Sequence, residues 1–117
     1  MEMKLKVART IDRIMDAAYT YCNSALGDVG GEILSNSSRK VNEDGSISIV
    51  YPQKAFEVQE ELKRMLDEIY SAKIGLNLRA SQLPEASYPT NAKAILIEAT
   101  QKGLEFNNKV NELIFSI

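Results

Sequence analysis

The chain has 117 residues, a net charge of −2, 44% hydrophobic and 26% charged residues, one cysteine (Cys22), and neither histidine nor tryptophan. This describes one globular domain of ordinary composition, and the near-neutral charge argues against a nucleic-acid partner. Without histidine the commonest general base and metal ligand is missing, and a single cysteine cannot close an internal disulfide. No signal-peptide stretch and no run near the ~20 apolar residues of a membrane span are visible, so the expectation is a cytoplasmic chain with no membrane association.

Residues 2–26 read as a first helix. Val7, Ala8, Ile11, Ile14, Met15, Ala18, Tyr19, Cys22 and Leu26 make one broad apolar stripe, wide enough to face a core. Gly27 is the expected stop, because glycine tolerates a left-handed helix end. Residues 27–40, with three glycines and three serines, read as a flexible stretch in which Ile33-Leu34 forms a short turn over the core. Cys22 lies inside the apolar stripe with no histidine to activate it and is expected to be a buried core residue.

A strand signal follows. Asp44-Gly45 favours a tight hairpin turn, in which both residues take positive φ. Ile47, Ile49 and Tyr51 alternate with Ser46, Ser48 and Val50, so residues 38–42 and 46–51 are expected to pair as a hairpin. A two-stranded hairpin is marginal in water, so its apolar face must lean on helices or pair with another subunit.

Tyr51-Pro52 then introduces the most regular feature of the chain. Ala55, Val58, Leu62, Met65, Ile69, Ala72 and Leu76 follow a strict 3-4 spacing, which makes a narrow seam for another helix in the same or a second chain. The helix is expected over residues 53–81. Gly75 costs about 1 kcal/mol in a helix interior, and Ile74, Leu76 and Leu78 alternate, so residues 72–80 read equally as helix or strand.

Residues 83–89, with two prolines, form a loop before a third helix over residues 91–115, capped by Thr90. Glu98–Lys102 and Glu105–Lys109 are favourably ordered pairs one turn apart. Ser71-x-x-x-Gly75 and Ala99-x-x-x-Gly103 place small residues one turn apart, and Gly75 and Gly103 are therefore expected to permit close helix approach. The fold expected is a mainly α, three-helix antiparallel bundle with a small β-hairpin inserted between helices 1 and 2.

Three sets of residues invite a function. The Glu57, Glu60, Glu61, Asp67 and Glu68 cluster suggests a magnesium-dependent hydrolase, but no matching acidic set follows on the third helix, and neither metal nor cofactor is expected. Arg79, Ser81, Ser87, Tyr88, Thr90, Asn91 and Lys93 gather charge, hydroxyls and a ring at a helix N-terminus, where a small anionic, nucleotide-like ligand is favoured. The seam and the strand edge suggest a non-catalytic protein that forms a homo-oligomer and binds or blocks a protein partner. This last reading fits the poor catalytic inventory best.

Overall fold

The structure is a computed structural model that describes residues 2–117. Helix α1 (Glu2–Asn36) leads into strands β1 (Ser38–Val41) and β2 (Ile47–Val50), followed by helix α2 (Gln53–Ser81), one 3-10 turn (Glu85–Ser87) and helix α3 (Tyr88–Phe115). The three-helix bundle with an inserted hairpin is as expected. Its proportions are unusual: 74 × 23 × 15 Å, with a Cα radius of gyration of 20.0 Å, against roughly 13 Å for a compact chain of about this length. The molecule is a rod. Among the described residues, no helix is long and apolar enough to cross a membrane.

Helix α1 is ten residues longer than its periodicity to Leu26 suggests, running through Gly27, Gly30 and Gly31 instead of stopping. The expected flexible stretch is therefore the last turns of a helix. The reason is burial: Ala25, Val29 and Ile33 continue the stripe of Val7, Ile11, Met15, Ala18 and Cys22 against α2. Covering those side chains offsets a glycine cost of about 1 kcal/mol per position. The helix ends at Asn36, whose amide donates to the Glu32 carbonyl at 2.9 Å, while the Ser37 hydroxyl donates to the Ile33 carbonyl. Both side chains fold back onto carbonyls of the last turn, the local bonding by which Asn and Ser compete with further helix.

Helix α2 runs back antiparallel to α1, and its 3-4 seam closes on α1 within the same chain. Ala55, Val58, Leu62, Met65, Ile69 and Leu76 are buried, and Ala72 packs half-buried at their edge. Residues 72–80 are helical. Leu76 and Ala80 complete the buried face, whereas Ile74 and Leu78 are exposed, so the apparent alternation was incidental to a helical period. A polar flank holds the same two helices in register: Lys73 Nζ lies 2.8 Å from Asp16, and Asn77 donates to Asp12 at 2.9 Å.

Helix α3 begins at Tyr88, three residues earlier than expected, with Pro89 inside its first turn. Thr90 is thus a first-turn residue rather than the cap, a position held by Ser87. The Pro–Thr pair fits this arrangement because a proline loses nothing where its N–H would have no helical partner. α3 lays Ala92, Ile95, Ala99, Gly103, Phe106 and Val110 on α1.

The hairpin stands apart. β1 and β2 pair antiparallel with Val41 opposite Ile47 and Arg39 opposite Ile49, every strand residue is exposed, and no helix packs against either strand.

Candidate functional site

The loop before α3 does not assemble the anion site that its residues suggest. Arg79 is engaged by Glu98 of α3, with guanidinium–carboxylate distances of 2.8 and 2.9 Å. That hydrogen bond and charge hold the Glu98 carboxyl below its usual range and raise Arg79. Ser81 donates to the Leu78 carbonyl of its own helix at 2.7 Å, and Asn91 donates to Ser87 at 2.9 Å. Tyr88 is buried, its ring lying beneath Lys4 Nζ at 5.6 Å from the centroid. Arg79 and Asn91 line one shallow groove together with Glu98; Thr90 and Lys93 do not border it. The Tyr88 N–H already bonds to the Glu85 carbonyl, and Pro89 has none to offer, so the helix start presents few free donors. The groove contains a carboxylate facing its one guanidinium. It is a poor place for a second anion.

Three carboxylates of the α2 cluster are likewise engaged with their own helix. Glu57 accepts from Gln53 at 3.3 Å, Glu60 pairs with Lys63 at 3.3 Å, and Glu61 pairs with Arg64 at 2.7 Å. Among the described residues no three acidic, cysteine or histidine side chains converge as a metal site would need. Cys22 is fully buried, its thiol donates to the Leu62 carbonyl at 3.5 Å, and burial pushes its pKa up to about 11. Such a thiol is not a nucleophile at neutral pH.

The two small-residue positions differ. A side chain at Gly103 would meet Ile14 Cγ2 at 3.1 Å, so α3 approaches α1 closely there. Gly75, expected to sit against another helix, has nothing within 4 Å of where its Cβ would stand.

What the fold does gather is apolar surface at the hairpin end. The end of α1, the start of α2 and the end of α3 come together there, with the hairpin beyond them. More than half of the large apolar side chains that remain exposed lie at this end, among them Leu34, Tyr51, Phe56 and Phe115 besides the strand residues. Leu34 and Phe115 are 80% and 89% exposed, far beyond the margin of a core. The Tyr51 and Phe56 rings lie tilted against each other at the hairpin base with centroids 6.3 Å apart.

Local chemistry builds the hairpin without help from the helices. The Asn42 N–H bonds to the Ser46 carbonyl at 2.8 Å and the Gly45 N–H to the Asn42 carbonyl at 3.0 Å. Among the described residues Gly45 alone has positive φ, at 87°. The turn is therefore a three-residue loop with a glycine bulge, and not the two-residue turn in which Asp44 would share the positive φ. The Asp44 carboxylate accepts the Ser46 N–H at 3.0 Å and its hydroxyl at 2.6 Å, bonds that lower its pKa. The Asn42 amide donates to Ser46 and Ser48 at 3.0 and 2.7 Å. One face of the ladder carries Arg39, Val41, Ile47 and Ile49; the other carries Ser38, Lys40, Ser48 and Val50. The contributions of Leu34, Phe56 and Phe115 were readable only as apolar residues lying out of phase with their helical stripes, as Leu34 beside Ile33 illustrates.

The class the fold defines is a three-helix rod bearing a free apolar hairpin at one end. Comparisons with known protein families, curated proteins and solved structures find no match for the chain.

Proposed function

We propose that this chain is a non-catalytic helical protein that self-associates through its hairpin end and there binds or blocks a macromolecular partner. The observation that carries the reading is the hairpin: Val41, Ile47 and Ile49 form an apolar face that no helix of the chain covers. A two-stranded hairpin gains little in water unless such a face is buried, and contiguous exposed apolar surface marks interaction sites. The helical seam leaves self-association to this end, because α1 already occupies it. Capture of an anionic ligand beside α3 has less support, since Glu98 already neutralises Arg79. Residence in the cytoplasm belongs to the same proposal and accords with a buried, unpaired Cys22.

Sedimentation velocity tests the reading. The native chain is expected to sediment above its 13.0 kDa monomer mass, and the Ile47→Ser/Ile49→Ser double variant as a folded monomer. A native chain that remains monomeric at concentrations of tens of micromolar removes the self-association half of the proposal.

A further inference from the structure

We infer that the open edge of β2 pairs antiparallel with β2 of a second copy, so that two hairpins form one four-stranded sheet in the order β1-β2-β2-β1. The inference rests on the self-association proposed above and specifies which surface carries it.

Strand geometry singles out the atoms. The turn bond from the Asn42 N–H to the Ser46 carbonyl sets the alternation along the ladder. Residue pairs of an antiparallel ladder alternate between hydrogen-bonded and non-hydrogen-bonded, which makes Val41–Ile47 and Arg39–Ile49 non-hydrogen-bonded pairs. The N–H and C=O groups of Ile47 and Ile49 therefore point away from β1, toward an empty edge. An exposed edge of this kind is a template for another strand.

Charge decides between the two edges. β1 carries Arg39 and Lys40 side by side, the usual means of discouraging an edge from pairing with its own copy. β2 is Ile-Ser-Ile-Val, with no charge and no proline. A homotypic contact is thus opposed at β1 and unopposed at β2.

Charge also decides the direction. The hairpin tip holds Glu43 and Asp44, while Lys54 lies in the first turn of α2 at its base. Parallel pairing would set one acidic tip beside the other. Antiparallel pairing sets each tip beside the other copy's base and its lysine, and a twofold axis generates both contacts at once.

Register follows from the faces. Because neighbouring residues point to opposite sides, only a pairing that sets Ile47 opposite Ile49 of the second copy, with Ser48 opposite Ser48, keeps the apolar faces together and pairs both isoleucines within the strands. The two Ser48 positions then form a close, non-hydrogen-bonded pair.

Proline substitution separates the edges, because it removes an N–H. Ile49→Pro deletes a donor aimed at the second copy and spares the β1–β2 ladder; Arg39→Pro does the same on the opposite edge. Native chain, Ile49→Pro, Arg39→Pro and Ile49→Val are compared by sedimentation velocity, with circular dichroism confirming that each retains its helices. The expected result is a dimer for the native chain, Arg39→Pro and Ile49→Val, and a monomer for Ile49→Pro. Oxidised Ser48→Cys is expected to run as a covalent dimer, with the buried Cys22 taking no part. A native dimer that survives Ile49→Pro overturns the β2 pairing while leaving association at the hairpin end standing. A dimer lost with Arg39→Pro and kept with Ile49→Pro also overturns it, as does a native dimer with Ser48→Cys failing to cross-link. A monomeric native chain overturns both this inference and the reading on which it rests.

Discussion

The helical body and the hairpin arm use the same physical device with opposite outcomes. Each presents a regular apolar face, at 3-4 spacing in α2 and at alternate residues in the strands. In the body that face is buried to a few per cent by helices of comparable length. In the arm it is open to water. The difference lies in reach: α1 and α2 lie antiparallel along most of their lengths, whereas the hairpin projects beyond the point where α3 ends. Apolar periodicity thus identifies a face that gains by being covered, and chain geometry decides whether the cover comes from within.

Substitution in the body provides the largest contrast. Leu62 is completely buried at the centre of the α1–α2 contact. Leu62→Ala is expected to cost about 2–5 kcal/mol, the lost transfer energy plus the cavity, as a shift in the urea midpoint. A loss below about 1 kcal/mol would mean that the helical contact is far looser than its burial indicates.

The two glycines set a finer test within the body. Gly103→Leu forces a side chain against Ile14, a β-branched residue with little rotamer freedom on its own helix, and is expected to cost about 1–3 kcal/mol. Gly75→Ala meets no obstacle and should raise stability by up to about 1 kcal/mol through helix propensity. Thermal melting of the pair therefore moves in opposite directions. A Gly103→Leu variant that melts no lower than the native chain would show that α3 does not approach α1 closely there. A Gly75→Ala variant that melts lower would show that Gly75 is not in open space.

These comparisons also explain what could be read without the structure. The seam from Ala55 to Leu76 was legible because seven positions agree on one period, and helix and burial demand the same pattern. The second half of α1 was not, because Gly27, Gly30 and Gly31 speak locally against helix while the burial of Val29 and Ile33 is a tertiary fact. The hairpin was legible from alternation, but its register was not, since a two-residue turn at Asp44-Gly45 would set Val41 opposite Ser48 and the structure sets it opposite Ile47. Its turn type depended on the Asn42–Ser46 bond, which composition does not specify. The residues before α3 misled for a different reason: charge and hydroxyls suggest a ligand, but the 19-residue spacing that sets Arg79 beside Glu98 is visible only when α2 and α3 pack.

The smallest expected effect is the most informative about the arm. Ile47→Ser removes a large apolar side chain, yet Ile47 is 62% exposed and touches no helix. In dilute solution the melting of the body should change by less than about 0.5 kcal/mol, as for a surface substitution. Concentration separates the two chains. A native assembly gains stability by mass action, so its melting temperature rises as protein is added, whereas that of Ile47→Ser stays nearly flat. Curves that coincide at every concentration would mean that the arm's apolar face does not contribute to assembly. A large loss already present at the lowest concentration would mean that the arm is part of the folding core after all, and the contrast between arm and body would fail.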